Sequence, residues 1–311
     1  MKNYKEIFDE LQKEIGKVVV GQRDTVEQVV AAILCDGNAL LEGYPGVAKT
    51  LLVRTLAQLM DLKFSRIQNT PDLMPSDIIG TYIIEESGGK RQFKFQPGPI
   101  FANIVLADEI NRATPKTQSA LLEAMQEKQV TVGTTTYKLE LPFFVLATQN
   151  PIEQEGTYPL PEAQADRFIF KIKVSYPTYD DEIKIVDLYA AEEKEKRMKV
   201  LLNKNHLLTL QGFTRQVPIA NDIKQRAVKI ITATRSNKEI IQYGASPRAS
   251  IGLILASKAR ALMQGRNHVS NDDINAMAFP ILRHRLVINF EAERRGLTVE
   301  DATKHLVEKV K

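Results

Sequence analysis

Residues 43–50 read Gly43-Tyr44-Pro45-Gly46-Val47-Ala48-Lys49-Thr50. They follow a short apolar run, Ala39–Glu42, that is typical of a strand, and they open a helical pattern over Lys49–Met60. A glycine-containing loop between a strand and a helix presents backbone N–H groups and a helix amino terminus to an anion. The segment therefore predicts a phosphate-binding loop, in which Lys49 reaches the β- and γ-phosphates and Thr50 is a ligand of Mg²⁺.

The loop departs from the usual pattern G-x-x-x-x-G-K-[ST] at one position, because Ala48 stands where the second glycine belongs. A methyl group there narrows the space beside the phosphates and leaves the backbone N–H available. We expect a functional but slightly altered cradle, with nucleotide contacts at Gly43 and across Pro45–Leu51.

A second apolar strand pattern, Ile104–Asp108, is followed directly by another acid, Glu109. A carboxylate in a buried strand is costly unless a cation or hydrogen-bond donors accompany it, and Mg²⁺ is such a cation. Asp108 is therefore predicted to hold the metal ion's water shell, and Glu109 to act as general base on the attacking water. The alternative is that both acids only cap the loop after the strand.

A third strand pattern, Phe143–Thr148, runs into Gln149-Asn150-Pro151. The amide of Asn150 donates and accepts hydrogen bonds at once, which suits it to orienting a water molecule near the γ-phosphate. An isolated Asn-Pro pair would mark only a turn.

Strand and helix patterns alternate up to about residue 176, which is the signature of a parallel sheet with helices on both faces. The predicted core strands are Ala39–Glu42, Phe64–Gln68, Ile104–Asp108, Phe143–Thr148 and Phe168–Val174. Two further segments predict β-hairpins inserted into this α/β core, Thr81–Gln96 around a Ser87–Lys90 turn and Gln129–Leu141 around Gly133. The plainer interpretation of both hairpins is surface decoration.

Tyr176-Pro177-Thr178 marks the predicted domain boundary, because the strand patterns stop there. The predicted helices beyond it are Asp180–Leu188, Asn205–Arg215, Asn221–Arg235, Ser246–Met263 and Asn271–Arg283. We predict an α/β nucleotide-binding domain over residues 1–176 and a smaller, all-helical lid domain over residues 177–311.

These segments together resemble the AAA+ superfamily of P-loop NTPases, and more narrowly the MoxR family of its helix-2-insert clade. The resemblance spans nearly the whole chain in the family's order. It is carried by Val18-Val19-Val20-Gly21-Gln22, residues 43–50, Phe95-Gln96-Pro97-Gly98-Pro99, Leu106-Ala107-Asp108-Glu109-Ile110-Asn111-Arg112-Ala113, Ala147-Thr148-Gln149-Asn150-Pro151, Leu160-Pro161-Glu162-Ala163-Gln164-Ala165-Asp166-Arg167-Phe168 and Ser246-Pro247-Arg248-Ala249.

The resemblance implies roles for three arginines and one apolar segment. Arg167 looks like the arginine finger that enters a neighbouring subunit's site, although a salt-bridged arginine at a strand start is the alternative. Arg112 is a weaker candidate for the same role. Arg248 matches the sensor 2 arginine, which the lid carries onto the nucleotide of the same subunit. Val19–Gln22 resemble the segment that lines the adenine, although Val18–Val20 could equally belong to the core.

The resemblance also implies partners. The two hairpins coincide with insertions that face substrate or partner in this clade, so Phe93, Lys94 and Phe95 are candidate contacts. The family implies a homo-oligomer, a hexameric ring, that binds ATP and Mg²⁺ and acts as a chaperone on partner complexes. Its protein clients often carry a von Willebrand factor A domain.

The composition excludes several classes of protein. Of the 311 residues only Cys35 is a cysteine, so an internal disulfide framework and a Cys-rich zinc site are excluded. The chain has neither a basic-then-apolar leader nor an apolar run long enough for a membrane span, which favours a cytoplasmic location. The net charge of +4, the interspersed acids and the absence of Trp argue against a nucleic-acid protein.

The phosphate-binding loop, the acids after the second strand and Asn150 therefore predict an enzyme that hydrolyses MgATP, and the MoxR resemblance implies that it remodels protein complexes. Two alternatives remain. One is a nucleic-acid-remodelling motor, and the other is a nucleotide-gated scaffold that binds ATP with little turnover, an idea that Ala48 keeps open.

Overall fold

The computed structural model describes residues 4–87, 90–152, 156–190 and 198–310. The helices are α1 Tyr4–Ile15, α2 Arg23–Leu34, α3 Lys49–Leu59, α4 Pro75–Ile79, α5 Pro115–Glu127, α6 Glu162–Ala165, α7 Tyr179–Tyr189, α8 Lys204–Gln216, α9 Asn221–Ser236, α10 Pro247–Met263, α11 Asn271–Leu282, α12 Phe290–Arg294 and α13 Val299–Lys309. The strands are β1 Ala39–Gly43, β2 Phe64–Gln68, β3 Gly80–Ser87, β4 Lys90–Pro97, β5 Ile104–Asp108, β6 Gln129–Val132, β7 Thr135–Lys138, β8 Phe144–Gln149, β9 Phe170–Val174, β10 Ile241–Tyr243 and β11 Val287–Ile288.

The central sheet confirms the predicted parallel α/β core. Within the described residues it has five strands in the order β2-β5-β8-β1-β9, all parallel to their neighbours. Every strand predicted for it is present, with ends that shift by no more than two residues. The largest shift is at β9, where Phe168 and Ile169 precede the strand.

Alternation along the strands explains why helices cover both faces of the sheet. On β5, Ile104 and Leu106 pack into one hydrophobic cluster, whereas Val105 and Ala107 pack into the other. All five residues of β5 are buried. A strand buried on both faces is a continuous apolar run, which is the pattern that Ile104–Ala107 shows in the sequence.

Both predicted hairpins form, as the antiparallel pairs β3–β4 and β6–β7. The turn predicted at Ser87–Lys90 is not tested by the structure, because Gly88 and Gly89 lie outside the described residues. Aromatic rings join the two hairpins. Phe95 stacks on Tyr137 with ring centroids 4.1 Å apart, and the hydroxyls of Tyr82 and Tyr137 are 2.8 Å apart.

The three candidate contact residues of the first hairpin therefore differ in their surroundings. Phe93 is 77% exposed. Lys94 is also exposed and pairs with Glu85 at 2.9 Å. Phe95 packs between the hairpins instead, so its aromatic ring stabilises the pair of hairpins.

The region after residue 176 is helical, as predicted, apart from one detail. The short strands β10 and β11 form an antiparallel ladder there, so the expectation of an all-helical lid is corrected at these two segments. They are too short to show an alternating pattern in the sequence.

The predicted boundary at residue 176 is not visible as a break in the core. Buried residues of α1 and α2 belong to the same hydrophobic cluster as residues of α8, α10 and α11. The boundary therefore stays a prediction. Within the described residues, every helix is too short or too polar to span a bilayer.

Candidate nucleotide-binding site

The predicted site residues meet where the strands of the central sheet have their carboxyl ends, called the near edge of the sheet below. The strands β1, β8 and β5 are neighbours and run in parallel, so their carboxyl ends lie along the same edge. The phosphate-binding loop follows β1, Asn150 follows β8, and Asp108 ends β5. Because β8 separates β1 from β5, the loop and Asp108 face each other across roughly 10 Å, twice the spacing of adjacent strands.

The loop between β1 and α3 has the conformation of an anion cradle. Gly46 and Ala48 both have positive φ, of 84° and 59°. The Lys49 ammonium donates hydrogen bonds to the carbonyls of Gly43 and, at 2.9 Å, of Tyr44. Burial lowers the pKa of Lys49, and the Asp108 and Glu109 carboxylates oppose that shift. A bound phosphate would give this amine a charged partner in place of the two carbonyls.

Replacing Ala48 with glycine is expected to stabilise the loop. Ala48 lies in the left-handed region, with φ 59° and ψ 24°, which costs an L-residue about 1–2 kcal/mol. Glycine adopts this conformation freely but loses about 0.5–1 kcal/mol through the entropy of the unfolded chain. We therefore expect Ala48→Gly to raise the free energy of unfolding by up to about 1.5 kcal/mol, the difference between these two ranges, measured by urea denaturation. Ala57→Gly, in the interior of α3, is the matched control and should lower it.

The Asp108 carboxylate is held by two residues that the sequence did not suggest. Arg66 on β2 donates to Asp108 Oδ2 through Nη2 at 2.6 Å and Nε at 3.1 Å. The buried Thr148 hydroxyl donates to Oδ1 at 2.6 Å. The neighbouring strands β2 and β8 bring these donors to β5 over 42 and 40 residues of chain. In hindsight, an arginine inside a core strand was a sign of a charged partner.

The donor set suits a magnesium ion. Mg²⁺ takes one or two protein oxygens and keeps several waters and phosphate oxygens. Asp108 supplies a carboxylate and Thr50, at the start of α3, supplies a hydroxyl. These two would hold the ion, which would neutralise charge on the phosphates. Among the described residues there is no group of three or more His, Cys, Asp or Glu side chains that could hold a metal ion by itself.

Glu109 has a strained backbone and two fixed contacts. Its φ is 53°, a conformation that non-glycine residues adopt mainly where the surroundings impose it, and such residues concentrate at functional sites. Its N–H donates to Thr148 Oγ1 at 2.8 Å, and Arg112 Nη1 donates to its Oε2 at 3.0 Å. Arg112 thus contacts the Glu109 of its own chain.

Asn150 lies between the loop and Asp108, where the sequence placed it. Its Oδ1 accepts a hydrogen bond from the Ile152 N–H at 3.1 Å, which orients the amide. The amide N–H groups can donate to a water molecule at the same edge of the sheet.

The predicted adenine-binding segment lies beside the loop. A cavity of about 90 Å³ is lined by three regions of the chain. They are the predicted adenine segment (Val18–Val20 and Gln22), the phosphate-binding loop and the start of α3 (Gly46–Ala48 and Leu51), and the region of α7 (Pro177, Ile185 and Tyr189). A larger cavity of about 480 Å³ adjoins Val19–Gln22 on the other side. The contribution of α7 was missed by sequence reasoning, and Tyr189 fixes it by donating from its hydroxyl to the Val18 carbonyl at 2.6 Å.

Comparison with known proteins agrees with this geometry. The model of the ATPase family associated with various cellular activities (AAA) matches residues 38–170, and the AAA lid domain model matches residues 233–306. Chaperone MoxR1 of Mycobacterium tuberculosis is 45% identical over 287 residues, which cover 90% of this chain and 75% of that protein. The chain is a MoxR-family AAA+ ATPase.

Two further relatives extend the match over almost the whole MoxR-family chain. The protein YeaC of Bacillus subtilis is 44% identical over 299 residues, covering 96% of this chain and 92% of YeaC. A crystal structure of a protein from Cytophaga hutchinsonii superposes with a TM-score of 0.92 at 44% identity, covering 99% of this chain and 95% of the other.

Arg167 of the MoxR-family chain lies where the strands have their amino ends, called the far edge of the sheet below. It precedes β9, whose first residue is level with Ala39 and whose last is level with Gly43. Its exposed side chain reaches α5, where Nη1 donates to the Leu122 carbonyl at 3.4 Å. It forms no ion pair with any described residue. The salt-bridged arginine considered from the sequence is therefore not found.

Arg248 also lies at this far edge, which corrects the sequence-based expectation. Its Nη1 is 3.5 Å from an oxygen of Asp166, the residue before Arg167. Asp166 precedes β9, and the five residues of that strand span roughly 16 Å before the chain is level with Gly43 at the near edge. Arg248 in this conformation cannot contact a nucleotide in its own subunit. The sequence identified the start of α10 correctly, but it could not show where the lid packs.

His284 of the lid is expected to make the stability of the protein fall in acid. Burial, and then the charges of Arg285, Lys171 and Arg283, lower the pKa of His284 well below 6.5, against a hydrogen bond to the Phe168 carbonyl that raises it. Below pH 6.5 the unfolded chain binds a proton on His284 that the folded chain does not. The free energy of unfolding therefore decreases as the pH falls, by at most about 1.4 kcal/mol per pH unit from this residue.

Denaturation between pH 7 and pH 5 measures this contribution. His284→Gln keeps an N–H donor for Phe168 but does not titrate, so the variant should lose less stability than the parent protein. His268→Gln, at an exposed histidine, is the matched control for the substitution itself. An equal pH dependence for His284→Gln and the parent would contradict the prediction.

Proposed function

We propose that this protein hydrolyses MgATP at sites shared between neighbouring subunits of a ring, and that it uses the hydrolysis to remodel partner protein complexes. The observation that carries the proposal is the separation of the two halves of the site. Lys49, Asp108, Glu109 and Asn150 lie at one edge of the sheet, whereas the exposed Arg167 lies at the opposite edge.

A single chain cannot bring these two edges together. Head-to-tail packing of identical chains places the far edge of one subunit against the near edge of the next, and such packing forms a ring when the rotation between neighbours closes. In that arrangement Glu109 removes a proton from the attacking water, Asn150 orients that water, and Lys49 and Arg167 of the neighbour stabilise charge on the transferred phosphoryl group. Arg248 would act from the neighbour as well.

The finer features of the function rest on the family. The chaperone role is supported by the name of the relative MoxR1. A hexameric ring, a cytoplasmic location and a client with a von Willebrand factor A domain are proposed from the MoxR resemblance. The joined hairpins, with Phe93 exposed, offer a surface for such a client.

The proposal is tested by measuring steady-state MgATP hydrolysis as a function of protein concentration, with the oligomeric state followed by light scattering. Specific activity should rise with concentration and level off when assembly is complete. Constant specific activity in a protein that stays monomeric would contradict the shared site. Tight ATP binding without turnover in the assembled state would favour the nucleotide-gated scaffold instead.

A further inference from the structure

One arginine of the lid makes hydrogen bonds to residues 166–169, the segment that carries Arg167 and is called the finger segment below. Arg285 follows α11, and its guanidinium donates to the carbonyls on both sides of Arg167, to Asp166 O at 3.1 Å and to Phe168 O at 2.6 Å. The same group donates to the Ile169 carbonyl at 3.0 Å and to the Asp166 carboxylate at 2.7 Å.

This guanidinium also makes a hydrogen bond within the lid. Its Nη1 also donates to the Ile281 carbonyl at the end of α11, at 2.7 Å. The Arg285 side chain is only 4% exposed. The N–H groups of this buried guanidinium donate to carbonyl and carboxylate oxygens. Breaking any of these hydrogen bonds costs free energy, because it leaves a buried polar group without a partner.

Two other lid residues also contact the finger segment. His284 Nε2 lies 2.9 Å from the Phe168 carbonyl, and Ser246 Oγ donates to the Asp166 carboxylate at 2.9 Å. Helices α10 and α11 therefore both reach the segment that carries Arg167. The Arg167 side chain itself points away from the lid, towards α5.

We propose that Arg285 is a positioning residue that makes Arg167 move with the lid of its own subunit. This inference rests on the proposed role of Arg167 as the arginine that completes a neighbouring site. A displacement of the lid is then transmitted to Arg167 through the two carbonyls, and it changes catalysis in the next subunit. The predicted lid also begins with α7, which lines the cavity beside the phosphate-binding loop. The lid of one subunit would therefore contact both the nucleotide-binding region and the finger segment of that subunit.

The test compares Arg285→Lys with the matched control Arg283→Lys. Arg283 is a neighbouring lid arginine that also contacts the sheet, by donating to the Lys171 carbonyl at 3.1 Å and to Glu300 at 2.7 Å, but it does not touch the finger segment. Lysine keeps the charge beside Asp166 and cannot reach both carbonyls. Because a misplacement of about 1 Å costs up to a hundredfold in rate, we expect Arg285→Lys to lower kcat by about tenfold to a hundredfold.

Three further readouts separate positioning from a structural defect. The KM for ATP and the assembly state of Arg285→Lys should match those of the parent protein. Arg283→Lys should keep the parent kcat. In an Arg167→Ala background, Arg285→Lys should cause no additional loss of kcat, because a misplaced alanine costs nothing more.

The outcomes are distinct. An unchanged kcat in Arg285→Lys, or a full additional loss in the Arg167→Ala background, overturns the positioning role and leaves the shared site intact. An Arg167→Ala protein with the parent kcat overturns the proposed function and this inference together. If Arg285→Lys does not assemble, Arg285→Gln replaces it, because its amide can donate to one of the two carbonyls but not to both; the same results are then required.

Discussion

Glu109→Gln is expected to lower kcat for MgATP hydrolysis by about 10²–10⁴-fold, the usual contribution of a general base, while ATP still binds. Glutamine fills the same volume and can still accept a hydrogen bond from Arg112. It cannot take a proton from water. The backbone contact from the Glu109 N–H to Thr148 is unaffected, so the strained turn after β5 should keep its geometry.

The measurement is single-turnover hydrolysis, beside the dissociation constant of a fluorescent ATP analogue. Glu239→Gln, at an exposed glutamate before β10, is the matched control and should match the parent protein in both. A Glu109→Gln protein that retains more than about a tenth of the parent rate would exclude Glu109 as the base, because that loss is below the range of general-base catalysis.

Arg167→Ala is expected to lower kcat by about a thousandfold or more, as removal of an arginine finger does in other phosphoryl-transfer enzymes. Among the described residues, the exposed Arg167 side chain makes one long hydrogen bond, at 3.4 Å to the Leu122 carbonyl. Its loss should therefore leave the melting temperature nearly unchanged. Lys138→Ala, at another exposed basic residue, serves as the control for a change of surface charge.

Mixing two inactive variants distinguishes a shared site from a site within one chain. Lys49→Ala subunits lack the phosphate contact but keep Arg167, whereas Arg167→Ala subunits have the reverse defect. In an equal, random mixture of head-to-tail subunits, roughly one quarter of the interfaces join an intact loop to an intact finger. We expect recovery of about that fraction of the parent activity if the sites are independent. A mixture that stays inactive at every ratio would show that both residues serve the same chain's site.

The sequence predicts the near edge of the sheet well for a physical reason. Strands buried on both faces require continuous apolar runs, so Ile104–Ala107 and Phe144–Ala147 stand out in the sequence. Once the strands are parallel, the residues that follow them share an edge. The positions of Lys49, Asp108 and Asn150 therefore follow from the pattern alone.

The far edge depends on how the lid packs, and local sequence does not contain that information. At the far edge, Arg285 acts on Asp166 across 119 residues of chain. The same holds at the near edge for Arg66 and Thr148, which act on Asp108 across 42 and 40 residues. The cis role expected for Arg248 is wrong for the same reason, since the motif locates the start of α10 but not its neighbour.

The contact between the hairpins has a mechanical consequence. The chain runs from β4 into β5 and from β7 into β8, so each hairpin is joined to a strand that carries residues of the nucleotide-binding site at its carboxyl end. Because Phe95 and Tyr137 are stacked, a pull on either hairpin also acts on the other. A force on one hairpin is therefore expected to reach two strands of the sheet rather than one.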